Sequence, residues 1–152
     1  MAAESEGLLP TIRRCSRGDL PAVVDLFRQD WPGAEAQEAP LYDAFERGLA
    51  SPRQRYLCAE VDSRVVGFGS LTLNHSLRQG GPVGRLEDLV VDRNYRCQGI
   101  ATRLLQAIEA IAIGAGCSRL DLDCAFHRKE EHAFFEQRRY ERKALLFSKQ
   151  LS

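Results

Sequence analysis

Two carboxylates interrupt an apolar run in the stretch RLEDLVV, residues 85–91. Successive strand residues point to opposite faces. With Leu86, Leu89, Val90 and Val91 around them, at least one of Glu87 and Asp88 must enter an apolar layer or a cleft. Burial of a carboxylate disfavours its charged form and raises its pKa. That is the behaviour required of a general base working near neutral pH. From its strand position, Glu87 is the first candidate and Asp88 the second. The structural alternative is an ion pair with a neighbouring arginine such as Arg85.

A second chemical signal follows directly. In VVDRNYRCQGIATRLLQAI, residues 90–108, a polar loop with Arg96 and Gly99 runs into an apolar stripe at helical spacing. Glycine is a poor helix former and serves close approach or a special backbone shape. The unpaired N–H groups of a helix start, with the positive end of the helix dipole, suit phosphate oxygens. Two common phosphate loops are excluded: no Gly-Lys-Ser/Thr exists, and Gly99 has no partner at G-x-G-x-x-G spacing.

The elements that must position these residues are legible in the hydrophobic pattern. LPTIRRC, residues 9–15, reads as a strand. A helix follows, with Asp19 as N-cap, Pro21 in its first turn and Leu20, Val23, Val24 and Phe27 as its stripe. Residues 31–40 read as a loop and 41–52 as a second helix stopped by Pro52. Tyr56 to Val61 and Val65 to Leu73 form a hairpin. Residues 74–82 form a flexible loop before a strand over 83–91. A helix from Gly99 to Ile113 stops at GAG, residues 114–116. A strand over 118–124, a helix over 128–140 and a final strand over 142–151 complete the order β-α-α-β-β-β-α-β-α-β. That predicts one mixed α/β domain over residues 1–152, with 1–8 as a flexible tail.

Composition narrows the partners. The 152 residues are 44% hydrophobic and 28% charged, with zero formal net charge. These values describe an ordinary globular chain and give no support to nucleic-acid binding or a polybasic membrane role. No apolar run approaches bilayer length, and MAAESEGLLP does not read as a signal peptide. Five cysteines, at 15, 58, 97, 117 and 124, are irregularly spaced, which predicts reduced thiols in a cytoplasmic protein. Three histidines without ligand spacing predict no metal.

Arg96-x-x-Gly99-x-Ala101, between a strand ending Val-Val-Asp and the helix TRLLQAI, fits [QR]-x-x-G-x-[GA]. It resembles the pyrophosphate loop of the Gcn5-related N-acetyltransferase (GNAT) superfamily. The segments RLEDLVV, GAGCSRLDLDC and HAFFEQRRY are similar to family segments in register, so the resemblance covers about residues 9–151. More narrowly, the hairpin length and the pattern Arg128, His132, Phe134, Phe135 look like the aminoalkylphosphonate N-acetyltransferases.

The resemblance implies a mixed, mostly antiparallel sheet of about six to seven strands with about four helices. It implies acetyl-CoA as cosubstrate and a small primary amine as acceptor. It places the pyrophosphate on Arg96, Cys97, Gln98, Gly99, Ile100, Ala101 and Thr102, with Arg103 nearby. Pantetheine would lie along the backbone of Leu89, Val90 and Val91, whose N–H groups could also hold the oxyanion. Arg128 and Phe135 fall on the cofactor side. His75 falls on the acceptor side, where loops 31–40 and 74–82 would select the amine. Members of the family often dimerise, and an exposed final strand would permit a homodimer here.

Two residues depart from the pattern. Phe135 stands where many members carry a proton-donating Tyr, and Cys97 stands where Gly or Arg is usual. The competing readings are a protein or peptide amine acetyltransferase, an aminoglycoside acetyltransferase, and a non-catalytic acyl-CoA-binding module. The cluster Arg138 to Lys143 reads as a solvated face, or as a site for an anionic acceptor if it lines the cleft.

Overall fold

The computed structural model describes residues 9–31 and 38–152. The sequence-based expectations for residues 1–8, and for most of the loop over 31–40, lie outside these. The chain divides into two compact units, Met1–Asp121 and Leu122–Ser152.

The first unit is built on a five-stranded sheet in sequential order: β1 (Thr11–Arg14), β2 (Gln54–Val61), β3 (Arg64–Ser76), β4 (Gly81–Val91) and β5 (Leu120–Asp121). The first three pairings are antiparallel and β4–β5 is parallel. Between β1 and β2 run helices α1 (Leu20–Asp30) and α2 (Glu38–Ala50); between β4 and β5 runs α3 (Ile100–Gly114).

Strand alternation gives each sheet face its own helical layer. Cys58, Phe68 and Val90 form one buried cluster with Leu20, Val23, Val24 and Leu26 of α1 and Phe45 of α2. On the other face α3 sinks Ile100, Leu104, Leu105 and Ile108, each at most 1% exposed. Burying each such side chain stabilises the fold by about 1.5–3 kcal/mol. Gly69 makes this close approach possible: a Cβ there would come within 2.8 Å of Ile108 Cδ1.

α1 begins where expected, with Asp19 at its N-cap and Pro21 in its first turn, although the Asp19 side chain makes no cap hydrogen bond to the helix. A 3-10 turn, Arg17–Asp19, precedes it. The Asp19 carboxylate accepts from the Ser16 N–H at 2.7 Å and from Arg13 Nη1 and Nη2 at 2.8 and 2.9 Å. The Arg13 guanidinium holds the Asp19 pKa down at about 2. α2 begins at Glu38, with Pro40 tolerated in its first turn.

Four further expectations are corrected. The sheet has five strands among the described residues, fewer than six to seven. The fifth strand shrinks from 118–124 to two residues, because only Gly84↔Leu120 and Arg85↔Asp121 pair with β4. Residues 74–82 are largely strand, since β3 and β4 pair as far as Ser76↔Gly81 around a tight turn. Cys15 and Cys58 are joined as a disulfide, not held as free thiols. Their Cα atoms lie 5.6 Å apart across β1 and β2, a separation that permits the bond. Cys97, Cys117 and Cys124 are unpaired.

In the second unit, α4 (Lys129–Gln137) buries Phe135 against Phe134 and Tyr140, with ring centroids 5.1 and 5.5 Å away. The predicted final strand over 142–151 is not formed. A strand needs a ladder partner, and residues 141–152 are exposed throughout, with Phe147 87% and Leu151 89% accessible. No helix among the described residues is long and apolar enough to cross a membrane.

Candidate active site

β4 is where the two chemical signals meet. Its register against β3 shifts between Ser70 and Leu71: Ser70 pairs Asp88 and Leu71 pairs Leu86, so Glu87 is the extra residue of a bulge. The bulge breaks simple alternation and separates the fates of the two acids. Glu87 turns outward, is exposed, and pairs with Arg85 Nε at 3.3 Å. Asp88 is half-buried, and its Oδ2 accepts a hydrogen bond from Ser70 Oγ at 2.6 Å. Burial pushes the Asp88 pKa up; the Ser70 hydroxyl opposes this, and the charges of Glu87 and Asp30 add to the rise. Asp88 is therefore the more buried of the two carboxylates, and Glu87 takes the arginine pairing.

Asp88 lies on a continuous row across three strands. Tyr56 of β2 pairs with Ser70, and Ser70 pairs with Asp88. The Tyr56 ring stacks on Phe45 at 5.3 Å, and its hydroxyl donates to Gln54 Oε1 at 2.9 Å. Burial raises the Tyr56 pKa, and the negative charges of Asp88 and Glu87 raise it further. Tyr56 meets Phe68, and Phe68 meets Phe27, each at 5.7 Å; Trp31 lies 5.9 Å beyond Phe27. An aromatic wall thus flanks the carboxylate. Neither Tyr56 nor Ser70 stands out in the sequence, because only the register brings them to Asp88. His75 does not join them. It pairs with Pro82, five residues from Ser70, about 16 Å along β3 and on the opposite face.

Past Arg85, β4 has no strand partner on its β5 side among the described residues. The edge of Leu89, Val90 and Val91 therefore has no ladder partner on that side among the described residues. β4 then passes through the 3-10 turn Arg93–Tyr95, which the Asp92 side chain caps on Asn94 N at 2.9 Å. Arg96 folds back to donate from Nε to the Val91 carbonyl at 3.1 Å. Cys97 and Gly99 both adopt left-handed backbone, with φ of 61° and 85°. Gly99 is the N-cap of α3, and its carbonyl accepts the first helical bond, from Arg103 N at 3.1 Å. Ile100 is buried in the core and anchors the loop, while Ala101 and Thr102 are half-buried.

The loop has room for a pyrophosphate on one count: a Cβ built on Gly99 meets nothing within 4 Å, so open space lies in front of the helix start. The Gln98 Oε1 atom is buried without a hydrogen-bond partner among the described residues, but as an acceptor it offers nothing to a phosphate oxygen. Arg128 and Phe135 lie in the second unit. Arg128 caps α4 and pairs with Glu131 at 3.0 Å, and Phe135 is a core aromatic there.

An unpaired strand edge, a left-handed glycine before a long helix, and a half-buried carboxylate on that same strand thus follow one another along residues 88–114. The model of the Acetyltransferase (GNAT) family matches residues 20–139, and the chain belongs to that family. It is by class an acetyl-CoA-dependent N-acetyltransferase. It is 31% identical over 97 residues to glucosamine 6-phosphate N-acetyltransferase 1 of Dictyostelium discoideum, a match covering 61% of this chain and 60% of that protein. It is 30% identical over 127 residues to an aminoglycoside N(6')-acetyltransferase type 1 of Stenotrophomonas maltophilia, covering 82% and 81%. It is also 30% identical over 109 residues to an aminoalkylphosphonate N-acetyltransferase of Salmonella typhimurium, covering 72% and 71%. Among solved structures, the aminoglycoside N-acetyltransferase AAC(6')-Iy in complex with CoA superposes with a TM-score of 0.82 at 21% identity, over 93% of this chain and 95% of that one.

Proposed function

We propose that this protein transfers the acetyl group of acetyl-CoA to a primary amine of a small molecule, in one ternary complex, with Asp88 as the base. The observation that carries the reading is the Asp88 carboxylate, desolvated on the same strand whose open edge leads into the Gly99 loop. Asp88 removes a proton from the acceptor ammonium, directly or through one water. The freed amine attacks the thioester carbonyl, and N–H groups of the Leu89–Val91 edge stabilise the oxyanion. The attacking nitrogen gives up its second proton to water as the amide forms, and the coenzyme A thiolate leaves and takes a proton from water in turn. The chain forms no covalent intermediate.

In this reading the loop from Arg96 to Thr102 holds the pyrophosphate through backbone N–H groups, with Arg103 adding charge. Glu87 flanks the acceptor entrance, and His75, on the opposite sheet face, takes no part in this reading. The chain works as one catalytic domain without a metal. A cytoplasmic setting would keep Cys97, Cys117 and Cys124 as thiols, and the Cys15–Cys58 bond is the feature that argues against it. The exposed Leu145, Leu146, Phe147 and Leu151 support a homodimer that covers them.

The test is thiol release from acetyl-CoA across glucosamine 6-phosphate, an aminoglycoside, 2-aminoethylphosphonate and a lysine peptide. Turnover with at least one small amine, exceeding that with the peptide, is expected. Peptide preference would move the acceptor to proteins. CoA binding without turnover on any amine would leave a binding module.

A further inference from the structure

We propose that Ser70 is the positioning residue for Asp88: its hydroxyl donates to Oδ2, fixes the carboxylate in the β3–β4 register, and leaves Oδ1 to take the acceptor's proton. This rests on the reading of Asp88 as the base.

Three observations support it. Ser70 is only 2% exposed, in the middle of an apolar strand, where an unsatisfied hydroxyl is costly. Its 2.6 Å bond to Oδ2 gives that hydroxyl its use. The β4 bulge sets Ser70 directly opposite Asp88, so the contact is made by the sheet itself and not by a mobile loop. Oδ1 makes no hydrogen bond among the described residues and is the atom left to react.

The charges around the carboxylate make the donor necessary. Glu87 lies beside it on β4, Asp30 faces it from α1, and the Tyr56 ring faces it from β2. Burial and two like charges all favour the protonated acid, which cannot act as a base. Ser70 is the one neighbour on these elements whose interaction favours the ionised form. A hydroxyl donating to a carboxylate stabilises the charged state. Removing it therefore moves the ionisation of Asp88 to higher pH and shrinks the fraction of competent base at every pH below the new midpoint.

The experiment compares wild type with Ser70→Ala, Ser70→Thr and Ser70→Cys by two readouts. The first is the carbon NMR titration of the Asp88 carboxyl in the free folded protein, assigned by its loss in Asp88→Asn. The second is the pH dependence of kcat/KM for whichever amine of the panel above reacts. Ser70→Ala should raise the Asp88 midpoint by about one pH unit in both, and lower kcat/KM by about tenfold at pH values below both midpoints. Ser70→Thr, which keeps the hydroxyl, should restore both. Ser70→Cys, close in shape and a weaker donor, should move both in the same direction as Ser70→Ala, and it stands in should Ser70→Ala fail to fold. A Ser70→Ala or Ser70→Cys carboxyl midpoint equal to wild type overturns the proposal. If Asp88→Asn loses the limb of the rate profile but the Ser70 variants leave it in place, Ser70 alone is overturned. If Asp88→Asn keeps the limb, Asp88 is not the base, and the role of Ser70 falls with it.

Discussion

Gly99→Val tests the phosphate loop. Gly99 sits at φ 85°, where a side chain is strained, and a Cβ there would touch no protein atom within 4 Å. The folding cost is therefore conformational, about 1–2 kcal/mol for an L-residue in left-handed backbone. The binding cost is separate: the added methyl groups stand in the open space in front of the α3 N-terminus. Hydrogen bonds to a charged partner contribute about 1.5–3 kcal/mol each. Loss of one or two pyrophosphate contacts then weakens CoA binding by roughly ten- to ten-thousandfold, at about 1.4 kcal/mol per tenfold. Gly80→Ala is the control. Gly80 has φ 75° and equally empty surroundings, but it lies in the β3–β4 turn. It should lower stability while leaving CoA affinity intact. Calorimetric titration with CoA, beside thermal melts of both variants, separates strain from occlusion. A folded Gly99→Val protein that binds CoA like wild type would refute the assignment.

Other consequences follow from the same structure. Cys97→Ala should keep most of the turnover, because the loop acts through its backbone; a hundredfold loss of kcat/KM, about 2.7 kcal/mol, would give the thiol a role. Reducing the Cys15–Cys58 bond, which closes a separation of 43 residues, should lower unfolding stability by about 2–4 kcal/mol. Denaturant midpoints that do not respond to reductant would show the two thiols unbonded in solution. Asp19 has a depressed pKa, so its stabilising effect is present above the unfolded carboxylate range and is lost as pH falls toward about 2. Asp19→Asn should therefore cost about 1–2 kcal/mol at pH 7 and little at pH 2, as read from urea midpoints at each pH.

Much of the frame was legible in the residues. Helical periodicity marked α1, α3 and α4, and alternation with a turn marked the β2–β3 hairpin. Arg96, Gly99 and Ala101 marked the loop, because left-handed backbone before a helix needs glycine. The division of labour between Glu87 and Asp88 was not legible, because a bulge is a property of two strands and no one-strand pattern reveals it. Ser70 and Tyr56 were hidden for the same reason. The disulfide joins cysteines far apart in sequence, where spacing carries no signal. The segment over 142–151 has strand-like composition, but composition cannot supply the partner that makes a strand.

The central claim is that Asp88, rather than Glu87, takes the proton from the acceptor amine. The most direct measurement is the pH profile of kcat/KM for Asp88→Asn beside Glu87→Gln, with CoA affinity measured in each. General-base catalysis contributes typically 10²–10⁴-fold, so Asp88→Asn should fall by roughly that range near neutral pH. The deficit should shrink at high pH, where free amine is already abundant, and CoA affinity should hold. Glu87→Gln should lose less than about tenfold, the effect of a nearby charge alone. A pH-dependent loss confined to Glu87→Gln would exchange the two roles, and no such loss in either variant would contradict the mechanism.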